Sequence, residues 1–205
     1  MALLIAVTGG IGSGKSAVCR TLSLIGYRVY DCDSRARRLM DNDTEIHRLI
    51  ARDIAPGAIC DGTINRKYLA SIVFADRAKL DRLNEIVHER VIADIQRWHA
   101  RHTSDPILFI ETAILIESNL HTLVDEVWLV DAPQEIRLRR ACQRDNATPD
   151  EIRARMGNQT AVEASLLPVD LKIIDNDGTT AIFPQITRLL NNYNLHIPPA
   201  PQWRS

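Results

Sequence analysis

The sequence predicts an α/β fold built on a five-stranded parallel sheet with helices on both faces, a three-layer arrangement. Three observations point to it. Five short apolar runs are separated by helical patterns, and strands that alternate with helices form a parallel sheet. The first of these runs, Leu3 to Val7, is continuous rather than alternating, as a strand covered on both faces is. A glycine-rich loop follows the first run directly and opens a helix, which is the setting of a phosphate-binding loop.

Leu3 to Val7 is the first strand, and a helix from Lys15 to Ile25 is closed by Gly26. Arg28 to Tyr30 is a second short strand, ending at Asp31-Cys32-Asp33. The long stretch after it is helical. Ile46, Leu49, Ile50 and Ile54 recur at helical spacing, as do Val91, Ile92, Ile95 and Trp98. Pro56-Gly57 and Asp61-Gly62 punctuate it. It is too long for a plain crossover, so residues of about 34–104 read as an insertion.

Beyond Asp105-Pro106, Ile107 to Ile110 is a third strand and Val127 to Val130 a fourth. Asp131-Ala132-Pro133 then turns into a basic helix. Thr148-Pro149-Asp150-Glu151 is a capping box with proline at the first helical position, so another helix starts there. Leu171 to Ile174 is the fifth strand. Asn176-Asp177-Gly178 turns into a last helix carrying Ile182, Ile186, Leu189 and Leu190. The tail from His196 to Ser205 is proline-rich and expected to be poorly ordered.

The bulk numbers narrow the partners. With 205 residues the chain suits one domain with insertions. A net charge of −1 gives no general attraction to nucleic acid or an anionic membrane. Cys19, Cys32, Cys60 and Cys142 show no paired spacing, so reduced thiols in a cytoplasm are expected. The apolar start from Met1 to Val7 has no basic leader and reads as a strand, not a signal peptide. A monomer or weak homo-oligomer that engages neither nucleic acid nor membrane is the expectation.

Gly9, Gly10, Ile11, Gly12, Ser13, Gly14, Lys15 and Ser16 fit G-x-x-x-x-G-K-[ST]. Glycines let the backbone turn its N–H groups inward as a nest for phosphate oxygens. The following helix adds its positive N-terminal end. Lys15 should reach the β and γ phosphates of ATP, and the Ser16 hydroxyl should ligate Mg²⁺. A guanine-reading N-K-x-D motif is absent, and the chain is short for a motor. A small phosphate-loop protein with a helical insertion and an arginine-rich helix looks like a kinase for a metabolite.

Further motifs fall along the chain in a set order. The phosphate loop is preceded by Thr8, and Asp31-Cys32-Asp33 closes the second strand. Gly62-Thr63-Ile64-Asn65-Arg66 is followed by Leu69, Val73 and Phe74, and then by Leu83-Asn84-Glu85-Ile86-Val87-His88. Arg140, Arg144-Asp145 and Gln159 come later, before Ile174-Asp175-Asn176-Asp177-Gly178. In order and spacing this chain resembles the dephospho-coenzyme A kinase family along nearly its whole length. Two positions depart from the family pattern, which usually has proline where Glu89 and Ala113 stand here. The segment from Ala113 to Glu117, with Ile114, Leu115 and Ile116, corresponds to one that shapes the family's acceptor pocket.

The resemblance implies transfer of the ATP γ-phosphoryl group to the ribose 3′-hydroxyl of dephospho-coenzyme A, the last step of coenzyme A synthesis. It implies one kinase domain over residues 1–205, with the insertion binding the acceptor and a lid over about 138–168. The rival readings are a kinase for another small acceptor, such as a nucleoside monophosphate, and a nucleotide-binding regulator without catalysis. Asp33 and the lid arginines argue against the regulator, which has no transition state to stabilise.

Each candidate residue has a structural alternative. Asp33 is the residue expected near the acceptor hydroxyl, or else the N-cap of the helix that follows. Glu111 holds Mg²⁺ with Ser16, or is an exposed carboxylate at a strand end. Arg137, Arg140 and Arg144 share a helix face. Arg140 and Arg144 join Lys15 and Asp33 as the expected catalytic set, while Arg137 and Arg139 read as a solvated basic face. Asn176 and Gly178 contact adenine or simply make a turn. Asp31, Arg66, His88, Leu115 and Glu117 are the expected acceptor contacts, His88 being equally a core or surface histidine. His99 and His102 read as a polar helix end rather than metal ligands.

Overall fold

Residues 2–193 are described in a computed structural model; the expected disordered tail lies outside them. The first part of the chain runs β1 (Leu3–Thr8), α1 (Lys15–Leu24), β2 (Arg28–Asp31), α2 (Cys32–Asn42), α3 (Thr44–Asp53), β3 (Ile59–Cys60), β4 (Thr63–Ile64), α4 (Arg66–Ala75) and α5 (Arg77–Arg101). It continues through β5 (Ile107–Glu111), β6 (Glu126–Asp131), α6 (Gln134–Asp145), α7 (Pro149–Gly157), β7 (Asp170–Asp175) and α8 (Ile182–Asn191). The chain divides into two compact units. One takes the described residues up to Tyr30 and from His102 onward, and the other is Asp31–Arg101.

The first unit holds a five-stranded parallel sheet in the order β2-β5-β1-β6-β7. Sheet order and chain order part company at β1, which lies between β5 and β6. Open α/β sheets bind ligands beyond the C-terminal ends of strands at such a switch point. Pairing is in register from Leu3 opposite Ile107 to Val7 opposite Glu111. On one face Ile5, Val7, Ile107, Phe109, Trp128 and Val130 meet Val18 and Leu22 of α1 and Ile186 and Leu190 of α8. Phe109 sits edge-on to both Tyr27 and Trp128, with centroids 5.5 and 5.2 Å away. The intervening Leu4, Ala6, Leu108, Ile110 and Val127 are buried too. Burial on both faces is why the central strands β1 and β5 read as unbroken apolar runs.

Local chemistry fixes the ends of the helices. Gly26 at φ 99° closes α1, its N–H donating to Ser23 O, while the Tyr27 N–H reaches Leu22 O. The capping box forms at α7. The Glu151 N–H donates to Thr148 Oγ1, and Glu151 Oε2 accepts from the Thr148 N–H at 2.8 Å. Thr148→Ala removes the acceptor that satisfies an otherwise orphaned N–H. It should lower the thermal midpoint by about 2–4 °C. Calorimetry reads this, and an unchanged midpoint would show that the cap is redundant.

The second unit is helical apart from one small hairpin. Ile46, Ile50 and Ile54 of α3 and its end pack with Leu69 and Val73 of α4 and Ile86 of α5. Ion pairs fasten its rim, among them Arg82–Asp53 and Arg90–Asp43 at 2.8 and 2.7 Å. Asp43 also caps α3, accepting from the Glu45 and Ile46 N–H groups. The Asp61-Gly62 punctuation turns out to be a two-residue hairpin turn joining β3 to β4. Both residues have positive φ, 50° and 74°, as such a turn requires.

Candidate active site

The phosphate loop lies where β1 ends. Thr8 is buried, and the chain then passes four glycines, Gly9, Gly10, Gly12 and Gly14, before entering α1 at Lys15. Gly14 is the helix N-cap at φ 98°, no side chain caps α1, and its first turn holds no acidic residue. The positive end of the helix is therefore not neutralised from within. A Cβ on Gly14 would stand 2.1 Å from Asn176 Nδ2, so only glycine fits here.

That contact shows what Asn176 does. Its side-chain amide donates to Ser13 O at 2.7 Å across 163 residues of sequence. Its backbone N–H donates to Asp131 O, and its carbonyl accepts from Arg140 Nη1 at 3.0 Å. Arg140 Nη2 reaches Asn176 Oδ1 at 3.3 Å. Asn176 thus pins the loop to the end of β7 and to α6. Its side chain serves the loop, while the adenine contact expected at this turn is one of backbone groups. The neighbouring turn is held by Asp177, whose carboxylate accepts from the Thr179 and Thr180 N–H groups. The Thr180 and Thr179 hydrogen bonds pull the Asp177 pKa down to about 2. Gly178 stands exposed in the same turn at φ 91°.

Lys15 Nζ donates to the carbonyls of Gly9 and Gly10 at 2.8 and 3.2 Å, so its ammonium lies across the start of the loop. The Ser16 hydroxyl donates to Glu111 Oε1 at 2.7 Å. The β1–β5 register explains this pair, since it sets Glu111 opposite Val7, just before the loop. A hydroxyl and a half-buried carboxylate side by side are hard oxygen donors that suit Mg²⁺. Glu111 is therefore engaged with Ser16 rather than idle at a strand end.

A second set of bonds ties the loop to the segment after β5. Gln159 Oε1 accepts from the Ile11 N–H at 2.8 Å, while its amide donates to Ala113 O at 3.1 Å. Glu117 Oε1 accepts from the Thr160 N–H at 2.8 Å. Leu115 is fully buried, so it supports this segment from beneath instead of offering a contact surface. Beside these residues lies a pocket of ≈ 430 Å³, whose walls include Gly9, Gly10, Ala113, Arg137, Arg153 and Gln159.

The arginines of α6 divide. Arg144 is exposed and forks onto its neighbour Asp145 at 2.7 and 3.1 Å. That hydrogen bond holds the Asp145 carboxyl below its usual range, with charge from Arg144 and Arg155 adding to it. Arg137, expected on a solvated face, instead lies against the phosphate loop. Helical spacing placed it on the face of Arg140, which was the available signal for it.

The remaining candidates belong to the helical unit. Asp31, not Asp33, caps α2, accepting from the Ser34 N–H at 3.1 Å and from its hydroxyl. This removes the capping alternative for Asp33, which stands exposed in the helix's first turn. Arg66 is exposed and donates to Asp41 at 2.6 Å. His88 is half-buried on α5.

Comparison with known proteins agrees with this geometry. The family model described as dephospho-CoA kinase matches residues 3–181. A dephospho-CoA kinase from Bacteroides fragilis is 35% identical over 190 residues, covering 93% of this chain and 92% of its own length. Among solved structures, TT1252 from Thermus thermophilus is 30% identical with a TM-score of 0.78, over 95% of this chain and 99% of that one. A dephospho-CoA kinase from Campylobacter jejuni shares the fold at 23% identity, with a TM-score of 0.65 over 95% of this chain and 100% of that one. With a phosphate loop, its lysine and a family match spanning both units, the chain belongs to the dephospho-CoA kinase family.

Proposed function

We propose that the protein transfers the γ-phosphoryl group of ATP to the ribose 3′-hydroxyl of dephospho-coenzyme A, completing coenzyme A. The observation that carries this is the family match from residue 3 to residue 181, which includes the phosphate loop and every candidate residue discussed here. The rival nucleoside monophosphate kinase and regulator readings find no support in those similarities.

In this reading the loop from Gly9 to Ser16 wraps the ATP phosphates with backbone N–H groups. Lys15 leaves the Gly9 and Gly10 carbonyls for the β and γ oxygens. Ser16 and Glu111 hold Mg²⁺, which supplies positive charge against the phosphate oxygens. Asp33 orients the acceptor hydroxyl and takes its proton as the new P–O bond forms and ADP departs. Arg140 and Arg144 match charge that spreads over the transferring oxygens. Arg144 does so by exchanging Asp145 for phosphate.

The Asp31–Arg101 unit supplies acceptor contacts through Asp31, Arg66 and His88, while residues of about 138–168 act as the lid. Glu117 orders the pocket segment through Thr160, with Leu115 supporting it. Adenine meets backbone groups of the turn at Asn176 and Gly178. The protein works in the cytoplasm as a monomer or weak homo-oligomer, without nucleic acid or membrane. Among the described residues no helix is long and apolar enough to cross a membrane.

The acceptor supplies the test. Dephospho-coenzyme A carries a long pantetheine arm, and remote binding energy can orient a reacting hydroxyl. It should exceed AMP and adenosine by well over about tenfold in kcat/KM. Phosphorus NMR should place the new phosphate on the ribose 3′ oxygen. Equal efficiency on AMP, or a product phosphorylated on an existing phosphate, would overturn the assignment.

A further inference from the structure

The phosphate loop and the start of α6 are packed together more closely than the loop motif demands. A Cβ on Gly12 would stand 2.2 Å from the backbone oxygen of Arg137. A Cβ on Gly10 would stand 2.6 Å from both Cζ and Nη1 of Arg137, and 2.8 Å from Nη2. Three guanidinium atoms at nearly one distance mean that the plane lies face-on across Gly10. The two glycines admit the backbone of Arg137 at one point of the loop and its head at another.

This guanidinium is not anchored as its neighbours are. Arg140 is bonded to Asn176, Arg144 and Arg155 to Asp145, and Arg153 to Asp150. Arg137 Nε is buried without a hydrogen-bond partner, and among the described residues no carboxylate forms an ion pair with Arg137. A buried cationic donor without a partner is costly unless something else compensates it. Meanwhile Lys15 Nζ sits on the carbonyls of Gly9 and Gly10. Two cations therefore converge on one short stretch of backbone. Arg137 and Arg153 also line the pocket that opens beside it.

We propose that Arg137 binds phosphate oxygens at the Gly9–Gly10 end of the loop, as a substrate-contacting residue additional to Arg140 and Arg144. The proposal rests on the kinase reading and names a further residue of that site. A guanidinium suits this role because its planar fork can give two parallel N–H donors to one phosphate, which an ammonium cannot. The phosphate is the terminal group of ATP or the diphosphate of the acceptor. Lys15 contacts the β and γ groups in such loops, which favours the ATP terminus.

Arg137→Gln and Arg137→Lys separate the sources. Binding is measured calorimetrically for ADP, for an ATP analogue with an imido β–γ bridge, and for dephospho-coenzyme A. Arg137→Gln should weaken the analogue about tenfold or more beyond any effect on ADP, with Arg137→Lys recovering part of the loss. A loss confined to dephospho-coenzyme A would also support phosphate binding and place it on the acceptor's diphosphate. An equal loss for ADP and the analogue would make Arg137 a packing residue and overturn the proposal, as would unchanged binding of all three. The two nucleotide measurements need no acceptor. A wrong acceptor assignment would therefore leave them intact, while a wrong role for Arg137 would not.

Discussion

Lys15→Ala should leave a folded protein whose turnover falls by about 10²-fold or more. The ammonium of Lys15 donates to the loop carbonyls of Gly9 and Gly10, whereas the fold rests on the apolar core. What anchors α1 is elsewhere, in Val18, Cys19 and Leu22 on the sheet and in the Gly26 closure. Alanine is also the best helix former, so the first turn does not suffer. The phosphates, by contrast, lose a charge placed at the end of the loop where the transferring group sits. Coupled ADP release should register the fall while circular dichroism and the thermal midpoint stay near the parent's. Near-normal turnover would take the phosphate loop out of the mechanism.

What the sequence disclosed and what it hid follow a physical line. The loop was legible because its chemistry is contiguous: eight adjacent residues impose their own backbone path. The strands were legible because burial on both faces leaves an unbroken apolar run, as in Leu108 to Ile110. The hairpin of β3 and β4 was not, since strands of two residues are too short to show a period. Its turn pair Asp61-Gly62 was visible, but only as punctuation.

The harder losses were tertiary. Asn176 and Ser13 are far apart in the chain, and nothing local says that an amide in one turn will hold the other. Arg137 had the right helix face but no sequence feature that brought that face to Gly10 and Gly12. Leu115 matched a pocket motif by position, yet packing put its side chain inside. A choice between Asp31 and Asp33 as helix cap depends on where α2 starts, and a shift of two residues would make Asp33 the cap instead.

That last distinction makes Asp33→Asn a clean experiment. The substitution keeps size and shape while removing the negative charge and the ability to accept a proton. Asp31 keeps its bond to the Ser34 N–H, so α2 keeps its cap and stability should hardly change. If Asp33 takes the proton of the acceptor hydroxyl, kcat should fall. General-base contributions run at about 10²–10⁴-fold, and a loose phosphoryl-transfer transition state asks less of the base. The expected loss is therefore about 10²-fold, at the lower end of that range. Affinity for ADP and for the imido analogue should hold, because neither places its ribose hydroxyl in the acceptor site that Asp33 serves. Steady-state turnover and nucleotide calorimetry on one preparation decide it. A variant that keeps kcat and loses nucleotide affinity would move Asp33 from the acceptor to the nucleotide.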